Sequence, residues 1–231
     1  MNGMRTVTLF LCFAAFACAV SLRLAQAQTS PYEFFVTWRA ASAVPSGYAG
    51  KALAAQNAGL SVSFELLFNG TPVRLTGTPV RWYVNGDLLT NASGTRRIAY
   101  VVQTPGGQAE TIRIQIPDYN GQFLEAIAEI PVARPKVAIS TPHPYGVIPT
   151  GETLFRAIPF FFSSNNYSNL LFSWEVNGQR VTGAPASPDM LAIDTPQSAP
   201  ADARVSVFAS IRNKNQEFEI ATHTVNFSLL P

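Results

Sequence analysis

From residue 32 onward, apolar and polar residues alternate in short runs that Gly, Pro and Asn interrupt. In LSVSFELLF (60–68), apolar residues recur at every second position, and ETIRIQIP (110–117) repeats the pattern with three isoleucines. A period of two is typical of half-buried antiparallel strands, because successive side chains point to opposite faces of a sheet. With 17 prolines and 15 glycines spread along the chain, the pattern predicts an all-β fold.

Two segments nearly repeat each other, RWYVNGDLL at 81–89 and SWEVNGQRV at 173–181, and their tryptophans are 174 − 82 = 92 residues apart. We predict that each Trp fills the space between two sheets and that each Asn-Gly pair forms a type I′ turn, which needs positive φ angles. The predicted core and turn residues are Trp82, Asn85, Gly86, Trp174, Asn177 and Gly178. The repeat therefore predicts two β-sandwiches in tandem.

A polar, stiff segment, Arg134-Pro135-Lys136, separates the two alternating regions. We place the first sandwich at 32–133 and the second at 134–231, a length that suits about seven strands each. The W-x-V-N-G pattern resembles immunoglobulin-like and PKD-like bacterial repeats, although the disulfide of immunoglobulin domains proper is absent. More faintly, TWRAASAVPSGYAGKAL (37–53) and FSWEVNG are similar to uncharacterised exported proteins of genome-reduced bacteria. These resemblances imply fold and export but no chemistry.

Two stretches depart from regular alternation. Pro159 cannot donate a hydrogen bond to a neighbouring strand, so we expect its strand to lie at a sheet edge or to break there. In FEIATHTVNFSLL (218–230), the inward phase starts with Phe218 and Ile220 and later shifts by one residue. This shift predicts a β-bulge near residues 221–222.

The N-terminal 27 residues have the pattern of a secretory signal peptide. Arg5 precedes an uncharged apolar run (6–22), and Ala25-Gln26-Ala27 provides small residues for cleavage before Gln28. An uncleaved membrane anchor is the alternative, and it is the chain's one predicted contact with a membrane. Both cysteines lie in this segment, so an exported mature chain would have no disulfide.

Charge and motif content exclude several functions. Without Arg5 and Arg23, 16 − 2 = 14 basic residues balance 14 acidic ones, so we expect no nucleic-acid partner. With two histidines, His143 and His223, and no mature cysteine, we expect no metal site, and no nucleophile elbow is present. The acids are scattered singly, and Asp118 is interpreted as a turn residue rather than a calcium ligand. We expect no cofactor and no enzymatic activity.

Exposed rings are the remaining candidates. Tyr83 and Phe208 are predicted to point outward from their strands, and Tyr48 and Lys51 belong to a long irregular segment (40–57), interpreted as either a mobile crossover or a partner contact. We predict an exported cell-surface or envelope protein that acts by protein–protein contact. The alternative is a carbohydrate-binding module whose stacking platform is formed by Trp38, Tyr83 and Tyr119.

Overall fold

The computed structural model describes residues 31–92, 94–143, 145–182, 187–200 and 203–229, so the predicted signal segment lies outside the described residues. The prediction of an all-β fold is confirmed, because the described elements are strands apart from two short 3₁₀ turns, Thr90–Ala92 and Tyr167–Asn169. All of these elements lie within one compact unit, Tyr32–Pro231. No helix of the described part is long and apolar enough to cross a membrane.

The described part of the first sandwich contains nine strands in two sheets. They are β1 (Tyr32–Ala40), β2 (Ala54–Ala55), β3 (Gly59–Phe68), β4 (Thr71–Pro72), β5 (Arg81–Val84), β6 (Asp87–Leu88), β7 (Arg97–Val101), β8 (Ala109–Tyr119) and β9 (Gln122–Ala133). In one sheet β3 pairs with β1, β4 and β7, and the other sheet has the order β2-β9-β8-β5-β6.

In the second sandwich, the residues that the structure describes form eight strands. They are β10 (Lys136–Ser140), β11 (Val147–Ile148), β12 (Gly151–Phe160), β13 (Leu170–Val176), β14 (Gln179–Arg180), β15 (Met190–Thr195), β16 (Arg204–Asn213) and β17 (Gln216–Leu229). The sheets have the orders β10-β12-β15 and β11-β17-β16-β13-β14. Strand for strand, this is the arrangement of the first sandwich without β4, down to a short parallel pair, β2 with β9 and β11 with β17.

Each sandwich has its own apolar core. Trp82 is fully buried in the first core, with its ring centroid 5.5 Å from that of Phe64, and Trp174 is 5% exposed in the second. Both indole N–H groups donate to a backbone carbonyl just before a strand of the opposite sheet. Trp82 donates to Thr95 O, before β7, at 2.8 Å, and Trp174 donates to Pro188 O, before β15, at 3.2 Å. The repeated tryptophan therefore has one structural role, used twice.

Of the two expectations for Pro159, the break in the strand is observed, because β12 ends at the next residue, Phe160, whereas a position in an edge strand is not. Its strand, β12, is central in its sheet, and Pro159 is opposite Val137 of β10. On the other side, β15 stops pairing at Met190, opposite Arg156. The proline lacks an N–H group where no neighbouring strand remains on that side, so the strand tolerates it.

The beginning of β17 also differs from the sequence expectation. Phe218 is 97% exposed and Ile220 is 50% exposed, although both were predicted to point inward. The register shifts between Arg212, which is opposite Ile220, and Asn213, which is opposite Gln216. The inserted residues are thus 217–219 rather than 221–222, and the bulge lifts Phe218 off the sheet.

Candidate contact surface

The two Asn-Gly turns are built alike. Asn85 and Gly86 have φ angles of 51° and 94°, and Asn177 and Gly178 have φ angles of 52° and 77°. Each Asn also fixes its turn to the neighbouring strand. The backbone N–H of Asn85 donates to Thr111 O and its Oδ1 accepts from Thr111 N, both at 2.9 Å. Asn177 makes the same pair with Ser206, also at 2.9 Å.

Beneath the first turn lies a buried polar cluster that has no counterpart in the described part of the second sandwich. Glu110 has no exposed surface, and its carboxyl group accepts hydrogen bonds from Asn85 Nδ2 at 2.7 Å and, more weakly, from Thr104 N at 3.4 Å. The position before Ser206 is the equivalent one, and it holds Val205 in the second core. The alternation along the strand indicates this burial, since Glu110 is in phase with Ile112, Ile114 and Ile116.

Tyr100 lies close to this cluster with its hydroxyl unsatisfied. The oxygen is buried and has no hydrogen-bond partner among the described residues. Burial raises the pKa of the Tyr100 phenol well above its ordinary value, and the charge of Glu110 adds to the increase. This group stabilises nothing by hydrogen bonding, and we interpret the cluster as structural.

The structure places Tyr83 on the outward face of the five-stranded sheet of the first sandwich. A cross-strand row runs over this face from Leu88 through Tyr83 and Arg113 to Ile127. The Arg113 guanidinium carbon lies 4.1 Å from the Tyr83 ring centroid, a cation–π distance. Ile127 is 62% exposed and Leu88 is 48% exposed at the two ends of the row.

Phe208 occupies the position of the second sandwich that Arg113 occupies in the first. Its row runs from Arg180 through Glu175 and Phe208 to Thr224. Hydroxyl residues surround the half-buried ring on the same face, and none of their side chains hydrogen-bonds to another described residue: Ser173, Ser206, Ser210, Thr222 and Thr224. The two equivalent faces therefore differ in chemistry although their backbones are alike.

Tyr48 and Lys51 are attached to the body of the protein. The Tyr48 ring centroid lies 5.7 Å from that of Phe160 and 6.5 Å from that of Phe161, both in the second sandwich. Lys51 Nζ lies 3.4 Å from the centroid of the Trp38 ring. The backbone of Ala43 also bonds to Phe161 and Phe162, at 2.6 and 2.8 Å. The irregular segment thus connects the two sandwiches.

The three rings proposed as a glycan-stacking platform do not share a surface. Tyr83 is covered on one side by Arg113, and Trp38 by Lys51. Tyr119 and Trp38 are both partly buried against the first core, where Tyr119 meets Tyr32 edge-on at 5.4 Å. The prediction of this platform is wrong, because outward alternation along one strand does not tell which sheet a ring belongs to.

A second polar cluster lies beside Trp174. Asp189 is 4% exposed and accepts a 2.8 Å hydrogen bond from Arg156 Nε, and the Ser187 hydroxyl donates to its other oxygen. Burial acts to raise the pKa of Asp189, but the Ser187 and Arg156 interactions outweigh it and hold the pKa below its ordinary value. Residue spacing gives no sign of this pair, because Arg156 and Asp189 are distant in the chain.

The described residues contain no group of three or more His, Cys, Asp or Glu side chains that could hold a metal ion. His143 is half-buried in a connector, and His223 is exposed on β17. Within the part of the chain described, the carboxyl groups of Glu110 and Asp189 are both held by hydrogen-bond donors of the fold.

No protein-family model matches the sequence, and no curated protein matches it either. Among solved structures, the chain is similar to three N-terminal domains of the Highly Immunogenic Outer Capsid protein (Hoc) of bacteriophage RB49, at 12% identity and a TM-score of 0.40, covering 86% of this chain and only 59% of that one. It is also similar to immunoglobulin domains 1–4 of Sidekick-1, at 16% identity, a TM-score of 0.30 and coverages of 86% and 66%. Murine CEACAM1b is similar at 14% identity and a TM-score of 0.28, and the match covers 85% of this chain and 100% of that one. These likenesses concern the fold alone. The tandem antiparallel β-sandwiches predicted from the sequence are confirmed by the strand orders of the two halves.

Proposed function

We propose that this chain is an exported, non-enzymatic protein of the cell surface or envelope that acts by protein–protein contact. The proposal includes cleavage before Gln28, sandwich boundaries at 32–133 and 134–231, and kinship of both sandwiches with PKD-like repeats. The contact surface is the outward row Leu88, Tyr83, Arg113 and Ile127 of the first sandwich. We name this row the Tyr83 face.

The observation that carries the proposal is the difference between equivalent faces. The fold does not require an exposed apolar row at this place, because the second sandwich has Arg180, Glu175, Phe208 and Thr224 at the same positions. On the Tyr83 face, two exposed aliphatic side chains flank an aromatic ring with an arginine stacked on it. Tyr and Arg are the residue types that most often dominate the energy of protein interfaces.

Stacking also prepares the face for binding. Because Arg113 rests on the Tyr83 ring, both side chains keep one orientation and lose less rotamer entropy when a partner arrives. Next to them, Gln115 donates a 2.6 Å hydrogen bond to Glu125, which adds a polar border to the apolar row. An apolar centre with a polar rim is the general composition of a specific protein interface.

Binding of the labelled full chain to intact cells of the producing organism tests the proposal. We expect saturable binding that protease treatment of the cells abolishes and that mild periodate oxidation of surface glycans leaves intact. The double substitution Y83A/R113A should weaken binding at least about tenfold, a loss of about 1.4 kcal/mol. Unchanged binding by this variant would sink the proposal.

The control is E175A, since Glu175 occupies the position of the second sandwich that corresponds to Tyr83. It should bind as the wild type does. All variants should keep the wild-type melting temperature, because each substitution is on a solvent-facing side of a sheet. A variant that melts lower is compared only after correction for its folded fraction.

Carbohydrate binding is the second candidate, and the face around Phe208 favours it. A ring can stack on the apolar side of a sugar, and the unbonded hydroxyls of Ser173, Ser210 and Thr222 can exchange hydrogen bonds with sugar hydroxyls. Under this alternative, periodate rather than protease abolishes binding, and F208A rather than Y83A/R113A weakens it.

A further inference from the structure

A groove with a volume of about 610 Å³ lies where the two sandwiches meet. Its lining includes Asn57, Gly106 and Arg134 from the first half of the chain and Phe161, Phe218 and Ile220 from the second. The volume is within the usual range of small-ligand sites. The groove shares no residue with the Tyr83 face, so what it binds does not depend on the function proposed above.

Arg134 is held in position at this groove. Its Nε donates a 3.0 Å hydrogen bond to Gly106 O, and the side chain lies against the backbone of Gly106 and Gly107. A Cβ atom at Gly106 would lie 2.8 Å from Arg134 Cγ, and one at Gly107 would lie 3.1 Å from Arg134 Nε. Because Gly106 and Gly107 have no side chains, the side chain of Arg134 can lie against their backbone. A larger residue at either position would collide with it.

The terminal guanidinium nitrogens of Arg134 remain uncommitted. Within the described residues, the Nε bond to Gly106 is the only hydrogen bond that Arg134 makes, and no carboxylate pairs with it. The acid that lines the same groove, Glu219, is already occupied by Ser163 N at 2.5 Å, Ser163 Oγ at 2.8 Å and Asn213 Nδ2 at 2.5 Å. The groove thus contains one guanidinium group whose terminal nitrogens have no partner among the described residues, and one carboxylate whose oxygens are held by neutral donors of the fold.

The apolar part of the groove is costly for the protein to maintain without a ligand. Phe218 is held 97% exposed by the bulge at 217–219, and Ile220 beside it is 50% exposed. Phe161 has a φ angle of 59°, a left-handed conformation that is strained for a large side chain. Exposed aromatic surface and local strain at one place are features of binding sites.

We propose that this groove binds the C-terminus of a polypeptide whose last residue is large and apolar. The terminal carboxylate pairs with the guanidinium of Arg134, whose planar fork accepts two carboxylate oxygens side by side. The last side chain packs against Phe218 and Ile220. The half-buried side chain of Asn57, which makes no hydrogen bond to a described residue, faces the same groove and supplies polar groups for the peptide backbone.

Fluorescence anisotropy with defined peptides and the full chain tests this. The probe is a labelled hexapeptide, Gly-Ser-Gly-Ser-Ala-Phe, with a free carboxyl end. Three peptides are compared with it: the same sequence amidated, one ending in free Ser instead of Phe, and an amidated one with Asp before the Phe. We expect saturable binding of the probe, at least tenfold weaker binding of the plain amide, and weaker binding of the Ser-ended peptide.

Four variants connect the binding to the groove. R134Q and G106A should each weaken binding of the probe at least tenfold. F218A should weaken binding of the probe and also remove the preference for a terminal Phe over a terminal Ser. The control is R74Q, since Arg74 is an exposed arginine of the first sandwich away from this groove, and it should bind as the wild type does. Equal binding of the plain amide, binding unaffected by R134Q, or no saturable binding of the probe would each overturn the proposal. Arg134-dependent binding of the amidated Asp peptide as tight as that of the probe would overturn it too, because the carboxylate would then come from a side chain.

Discussion

Asn85 Nδ2 donates a 2.7 Å hydrogen bond to Oε2 of Glu110, a side chain with no exposed surface at a position that Val205 fills in the second sandwich. The same side-chain nitrogen lies 3.0 Å from Thr104 Oγ1, and the side-chain oxygen Oδ1 of Asn85 accepts a hydrogen bond from Thr111 N. One turn residue thus satisfies most of a buried polar cluster. The side chain of its counterpart, Asn177, has one hydrogen-bond partner among the described residues, Ser206 N.

We therefore expect N85G to be more destabilising than N177G. Glycine accepts the positive φ angle at both sites, so the comparison isolates the side-chain hydrogen bonds. N177G should lower the free energy of unfolding by about 1 kcal/mol, and N85G by about 2–3 kcal/mol, because it leaves Glu110 buried without its main donor. Urea denaturation of both variants measures the difference. Equal losses would show that Glu110 does not depend on Asn85.

The repeated tryptophans should matter equally for stability. W82A and W174A should each lower the free energy of unfolding by about 3–5 kcal/mol, because each leaves a cavity between two sheets and unpairs a backbone carbonyl. W82F and W174F keep most of the ring and should cost about 1–2 kcal/mol. Calorimetry and urea denaturation provide the values. A negligible effect of either alanine variant would contradict the structural equivalence of the two sites.

Two buried hydroxyls are expected to be dispensable. Neither Tyr100 OH nor Thr153 Oγ1 has a hydrogen-bond partner among the described residues. Y100F and T153V should therefore leave stability unchanged or raise it by up to about 1 kcal/mol, since each removes an unsatisfied polar atom and keeps the shape. A loss larger than about 1 kcal/mol from either would reveal a hydrogen bond that these oxygens make in solution.

The raised pKa of Tyr100 also predicts that the protein loses stability at high pH. Its pKa is raised in the folded state, so above the ordinary tyrosine value of about 10 the unfolded chain loses this proton while the folded one keeps it. Stability should therefore decrease as pH rises beyond that point. Y100F should show a smaller decrease in urea denaturation between pH 8 and pH 11, and identical decreases would contradict the assignment.

The lowered pKa of Asp189 predicts that the protein loses stability in acid. Its pKa is lowered in the folded state, so its contribution is fully present above the unfolded value of about 3.9 and is lost as pH falls through the folded value. At pH 7, D189N should be less stable than the wild type by about 1–2 kcal/mol, and the difference should shrink toward pH 2.5. D194N is the control, because Asp194 is exposed, and at pH 7 it should change the free energy of unfolding by less than about 0.5 kcal/mol.

The ring of Tyr48 should contribute to stability through the second sandwich. Y48A removes edge contacts with Phe160 and Phe161 and should cost about 1–2 kcal/mol. Tyr145 is 93% exposed, so Y145A is a matched control that should change stability by less than about 0.5 kcal/mol. Equal effects of the two would mean that the segment around Tyr48 is not held to the second sandwich in solution.

The alternation of apolar residues and the repeated W-x-V-N-G segment were sufficient to predict the fold. A strand with period two can bury only one face, and a Trp on that face has room only between two sheets. The Asn-Gly pairs likewise predicted their own backbone, because few other residues accept two successive positive φ angles. These are local constraints, and local constraints can be read from local sequence.

Which surfaces face each other was decided by the tertiary structure alone. Glu110 and Asn85, Asp189 and Arg156, and Arg134 and Phe218 are brought together by strand order and by the packing of one sandwich on the other, which leave no trace in residue spacing. The bulge that exposes Phe218 was predicted in the wrong place for the same reason, since its position depends on pairing with β16. Sequence periodicity determines on which face of its own strand a side chain lies. The residues that this side chain contacts are determined by the register with neighbouring strands and by the packing at the junction of the two sandwiches.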